Sequence, residues 1–160
     1  MEAAFASRDP LVLLAFLKET VEVSLDFPLA LEILSTFVSD VCEKLGKLVL
    51  GDPIAQMFSR ENKLSDPKAV QREALGAAGA FPVLAAVLVR HADHSEAAGA
   101  VAYAVGCLLN AKGDANVARA RATAGLEAAL RAARDKFADE DSPRNDVREY
   151  AGYALELMAE

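Results

Sequence analysis

The residues that most invite a chemical reading lie in Arg90-His91-Ala92-Asp93-His94-Ser95-Glu96, where two imidazoles and two carboxylates share one short stretch. Histidine and carboxylate together are the donors of a zinc-type centre, which needs three or four ligands converging in fixed geometry. The stretch falls between two helical patterns and no distant group completes the set. It reads as a turn in which Ser95 caps the following helix and Asp93 is an ordinary turn residue. Cys42 and Cys107 are the candidate nucleophiles, but each sits among apolar residues without a histidine beside it, which keeps a thiol protonated and inert. Gly76, Gly79, Gly99, Gly106 and Gly113 are dispersed, and no Gly-Lys-Ser/Thr sequence cradles a phosphate. Arg119, Arg121, Arg131 and Arg134 form a basic run, yet Glu127 and Asp135 lie within it, the pattern of a solvated helix face. Acid, base and nucleophile do not converge, so the expectation is a chain that is not an enzyme and takes neither metal nor cofactor.

The elements that would position these residues follow from composition. A length of 160 residues with 53% hydrophobic and 26% charged content is that of one folded domain, too apolar for disorder. Seventeen basic residues stand against 24 acidic ones, a net charge of -7. The balance excludes a general nucleic-acid binder, which carries a basic stripe, and suits a protein partner with basic patches. Two cysteines far apart in apolar helical patterns read as buried, reduced thiols, which points to the cytoplasm or another reducing compartment. Residues 1–8 lack the charged start and apolar core of a secretory signal.

Alanine is concentrated in the second half of the chain, and alanine forms helix at least cost. No stretch alternates apolar and polar residues long enough to make a strand, so the fold class is all-α. Pro10, Pro28, Pro53, Pro67 and Pro82 each fall near a helix start, with Asp9, Ser65 and Asp66 as caps. The expected helices are 10–23, 28–50, 53–60, 67–77, 81–92, 95–111, 115–124, 126–137 and 145–159. The 28–50 helix has the length of a membrane span, but Glu32, Asp40, Glu43, Lys44 and Lys47 inside it exclude insertion. Asp139, Glu140, Asp141, Ser142 and Pro143 make an exposed, mobile loop.

Comparing the helices with one another reveals repetition. Ala-Tyr-Ala-Val-Gly-Cys-Leu at 102–108 lines up with Gly-Tyr-Ala-Leu-Glu-Leu-Met at 152–158, and Glu-Lys-Leu-Gly-Lys-Leu at 43–48 lines up with the first of these. The offsets are 50 and 60, and Gly51-Asp52 and Gly113-Asp114 follow the two earlier copies. A second pair, 71–79 and 118–125, ends each time in Ala-Gly ahead of an amphipathic helix. Phe81, Leu84 and Leu88 form the apolar face of the first of those helices, and Leu126, Ala129, Leu130, Ala133 and Phe137 that of the second. A fixed period of this kind is the mark of stacked units.

The order short helix, Ala-Gly-Ala-Phe-Pro-Val-Leu, amphipathic helix, loop and Ala-Tyr-Ala-Val-Gly-Cys-Leu resembles an armadillo repeat, a pattern shared in part with HEAT-type helical pairs. The resemblance implies a single domain over 1–160, a short right-handed α-solenoid of about three repeats. A degenerate first repeat covers 10–52, a connecting segment 53–67, a second repeat 68–111 and a third 115–160. The spacings exceed the usual ~40 to 47 residues, so the loops must be expanded. In the third helices, Val101, Ala104, Val105 and Leu108 form an inward stripe that Ala151, Ala154, Leu155 and Met158 repeat.

Armadillo-like proteins line a concave groove with the third helix of each unit. Carried over by position, the groove aromatic falls on Tyr103 and Tyr153 and on Glu43 in the degenerate unit. The groove asparagine falls on Cys107, Leu157 and Lys47, and one turn earlier the same face offers Gly99 and Glu149. Importin-alpha-like adaptors use tryptophan and asparagine ladders at these positions, and this chain has no tryptophan. What the resemblance implies is a noncatalytic protein-protein interaction module, whose groove of tyrosines and carboxylates holds a partner segment. Alternatively both tyrosines pack against the adjacent unit with their hydroxyls in water. The competing function is that of a structural or accessory subunit of a larger assembly, or a fragment of a longer array, because no polar helix caps the ends of the array.

Overall fold

The computed structural model describes residues 6–22, 28–50, 68–109, 115–138 and 147–159. Within them the chain forms eight helices and no strand: α1 (Pro10–Glu22), α2 (Pro28–Leu50), α3 (Ala69–Ala77), α4 (Ala80–Arg90), α5 (Ser95–Leu109), α6 (Ala115–Ala122), α7 (Leu126–Lys136) and α8 (Val147–Ala159). The all-helical expectation holds, and these helices lie within a few residues of their expected spans. The expected helix 53–60, the caps Ser65 and Asp66, and the loop 139–143 fall outside the described residues.

Local chemistry explains the boundaries. Asp9 caps α1, accepting the Leu11 amide on Oδ1 at 2.9 Å and the Val12 amide on its carbonyl at 3.1 Å. Gly79 and Gly125 precede α4 and α7 with φ of 88° and 81°, a left-handed backbone that glycine adopts without steric cost. The Ala-Gly repetition in the sequence thus marks the same sharp turn twice, and α3 and α4 meet there at 71°. Helix α5 begins at Ser95 itself, and the His94 carbonyl accepts the Ala98 amide at 2.9 Å. His94, in place of Ser95, therefore occupies the capping position.

The helices pack in rows of like kind. Helix α5 lies between α2 and α8, α4 lies between α1 and α7, and α3 packs on α6. Within each segment the second helix folds back on the third, α1 on α2, α4 on α5 and α7 on α8. The middle position of α5 shows in its composition. From Ala97 to Leu109 every residue except Tyr103 is buried, a helix apolar around its whole circumference. Helix α7, at the edge of its row, buries Leu126, Leu130 and Ala133 and turns Glu127, Arg131 and Asp135 to solvent. The two stripes expected of α5 and α8 are both buried. Among the described residues no single helix is long and apolar enough to cross a membrane.

Candidate functional site

The row α2–α5–α8 carries the residues that the sequence assigns to a groove. Its geometry starts from two glycines. Glycine inside a helix costs roughly 1 kcal/mol relative to alanine, so its presence calls for a packing reason. At Gly46 of α2 the reason is the Tyr103 ring of α5: an added Cβ would stand 2.5 Å from Cε1 and 2.8 Å from Cδ1. At Gly106 of α5 it is the Tyr153 ring of α8, with Cδ1 at 3.2 Å. Gly46 and Gly106 are equivalent at the offset of 60, and Tyr103 and Tyr153 at the offset of 50. The same tyrosine-on-glycine seat therefore recurs at both helix contacts of the row.

A third aromatic joins them. Tyr150 of α8 approaches Tyr103 with ring centroids 5.3 Å apart and planes tilted by 59°, a favourable edge-inclined arrangement. Tyr103 is half-buried, and its ring and the Cys107 sulfur lie together against Gly46. Burial, with Cys107, Tyr150 and Glu43 nearby, pushes its phenol above the ordinary range. The Cys107 thiol is pushed up to about 12 by burial, against the smaller opposing pull of Tyr103 and Arg72. Burial raises the Cys42 thiol further still, and both cysteines are free and buried.

The other groove positions sort by exposure. Glu43 is half-buried and ion-paired along α2 with exposed Lys47. Glu149 and Tyr153 are exposed, and Leu157 is half-buried. Gly99 and Cys107 are buried, so neither offers surface to a partner. Around these positions the row presents to solvent an aromatic edge from Tyr103, Tyr150 and Tyr153, with Glu43, Lys47 and Glu149 on the flanking helices. Tyr150 escapes a positional reading because it lies three residues from the repeated tyrosine, although that is the spacing of one helix face.

The histidine stretch divides instead of converging. His91 is fully buried, its Nδ1 2.8 Å from the Ser35 hydroxyl of α2. Burial, then the neighbouring His94 and Arg90, lowers its pKa to about 4. Asp93 turns outward to an ion pair with Lys136, which holds its carboxyl below the usual range. Among the described residues no group of three or more His, Cys, Asp or Glu side chains is placed to hold a metal. The Ser35–His91 contact joins a nucleophile type to a base type, but a histidine neutral down to about pH 4 is a poor base near neutrality.

A buried polar network, missed by sequence reasoning, lies beneath the row. Arg72 of α3 is 1% exposed and donates from Nη1 to the Val49 carbonyl at the end of α2, at 3.0 Å. Asn116 of α6 donates to the Leu108 carbonyl near the end of α5 at 3.2 Å and to the Arg72 carbonyl at 2.9 Å. Arg121 donates to the Met158 carbonyl near the end of α8. All three helices of the row thus have a C-terminal carbonyl satisfied from a short helix, where side-chain donors and positive charge are both favoured. Arg131 pairs with Glu127 and Arg134 with Asp135, so the basic run is spent on capping and surface pairs. No family model, curated protein or solved structure matches the chain.

Proposed function

We propose that the chain is a noncatalytic protein-interaction module, a short right-handed α-solenoid of about three armadillo-like units. Its α2–α5–α8 row holds a partner segment carrying basic residues. The arrangement of like helices in rows, with left-handed glycines at equivalent turns, supports the repeat reading. The observation that carries the function is the repeated tyrosine seat. Each ring is held against a glycine of the neighbouring helix, and Tyr153 remains 42% exposed. A rigid aromatic surface of this kind supplies contact area at small entropic cost, and Arg or Lys side chains complement both the ring faces and Glu149. Two free, buried thiols fit a reducing compartment.

Titration of the full chain with arginine-rich peptides by calorimetry tests the reading. Tyr153→Ala should weaken a bound segment by about 2 kcal/mol, and Glu149→Lys should weaken it further at low salt. Unchanged affinity in both folded variants removes the groove from the account. The competing reading, an accessory subunit, draws on Leu11, Val12 and Ile33, whose exposures are 48, 42 and 52%. It predicts stoichiometric co-elution with a larger complex that Leu11→Glu and Ile33→Glu abolish.

A further inference from the structure

The row α2–α5–α8 makes one contact twice, and its two outer helices carry the same positions with different residues. In both contacts a tyrosine of the later helix, Tyr103 or Tyr153, rests where the earlier helix has a glycine, Gly46 or Gly106. A Cβ would stand 2.5 Å from the Tyr103 ring at Gly46 and 3.2 Å from the Tyr153 ring at Gly106, so a side chain at either position must push the ring away.

Helix α8 carries the seat position once more. An offset of 50 from Gly106 reaches Glu156, which is exposed. Glu156 follows Tyr153 by the same three residues that separate Gly106 from Tyr103. By the same helical geometry it takes, on the side of α8 away from α5, the place that Gly106 takes on the side of α5 away from α2. Helix α2 carries the ring position, where an offset of 60 back from Tyr103 reaches half-buried Glu43.

A second copy set with its α2 against α8 would continue the row. Such a head-to-tail contact does not close, since every added copy offers the same two faces again and an open filament results. The residues oppose that continuation. Glu156 brings a side chain into a seat that elsewhere admits none, and the group arriving there is Glu43, so two carboxylates meet without a ring to offset their desolvation. Lys47, which stands where Cys107 borders the first seat, is already paired with Glu43 along α2. Glu156 would add a second carboxylate to that one ammonium.

We propose that Glu156, opposed by Glu43, bars a second copy of this chain from stacking head to tail on α8. The two glutamates repeat the seat in position and invert it in chemistry, which lets like helices stack within one chain and not between chains. The bar rests on the repeated seat and not on what the tyrosine face holds.

The test uses the 160-residue chain and places the two faces on different molecules. Glu156→Gly supplies a seat and Glu43→Tyr supplies a ring, and circular dichroism should show both variants folded. In sedimentation velocity the wild type should stay monomeric, and each variant alone should associate less than the two mixed. The mixture should form a 1:1 dimer that grows no further, with an association constant about tenfold or more above that of the wild type. Both substitutions in one chain should give an open series of oligomers. A mixture that does not dimerise overturns the proposal, and so does a wild type that already forms the open series. Association of Glu43→Tyr alone as strong as that of the mixture also overturns it, because the ring would then gather chains without the seat. Peptide binding by the wild type is measured separately, so its failure leaves this result standing.

Discussion

Tyr103 sits over Gly46 so closely that the α-carbon of one helix and the aromatic ring of the next share the space of a single side chain. The close approach of α2 and α5 depends on that absence of a Cβ. Gly46→Ala should therefore destabilise the fold by about 1 to 2 kcal/mol in urea unfolding, the overpacking cost exceeding the gain in helix propensity. Tyr103→Leu in the same chain should recover much of the loss, a coupling that a double-mutant cycle measures. Gly152→Ala is the control. Nothing lies within 4 Å of a Cβ there, so the substitution should stabilise by roughly 0.5 to 1 kcal/mol.

Asn116 is fully buried with both its donor and its acceptor used, and its side chain fills the place that a Cβ at Gly76 would need. Asn116→Ala should cost about 2 to 3 kcal/mol, since it removes three hydrogen bonds and leaves buried carbonyls without that donor. Asn116→Asp should cost more, because a carboxylate presents only acceptors to the Arg72 and Leu108 carbonyls. Chemical denaturation of the two variants checks the order.

His91 makes stability depend on pH. Its folded pKa of about 4 lies below the ordinary 6.5, so between those values the unfolded chain binds a proton that the folded chain does not. Stability contributed by neutral His91 is complete above pH 6.5 and declines as pH falls toward 4. Thermal melts should show the midpoint dropping from pH 6.5 to 5, before most carboxylates titrate. His91→Gln should flatten that slope, and His94→Gln should largely preserve it.

The thiols should be inert. Cys42 and Cys107 are 0 and 4% exposed, and burial raises both above the ordinary thiol range. A disulfide reagent at pH 8 should modify neither in the folded chain within an hour and both at once in denaturant. Rapid modification of Cys107 in the native state would show that the α2–α5 contact opens, since its Sγ lies beside Gly46 of α2. Tyr103→Ala, which removes the ring that shares that seat, should accelerate it.

Much of the fold was legible because it is local. Helix spans followed from alanine content, proline position and apolar spacing, and Gly79 and Gly125 were marked by the repeated Ala-Gly. The stripes of α5 and α8 followed from helical periodicity. Periodicity reports one face at a time, however, and α5 is buried on every face. Only its place between α2 and α8 explains why Ala98, Ala102 and Gly99 are as buried as Val101 and Leu108.

The candidate site was legible in part. Tyr103 and Tyr153 could be matched by offset, and so could Gly46 and Gly106, but that each ring rests on the glycine of the preceding helix is a contact between segments about 50 residues apart. The same holds for Arg72 and Asn116, ordinary polar residues in sequence whose burial arises because helix ends from other segments need their donors. Composition and spacing in this chain determined which stretches are helices and which residues recur. Tertiary packing alone decided which recurring residues touch, which polar groups are buried and which aromatic edges meet water, because those outcomes depend on distances that local sequence does not set.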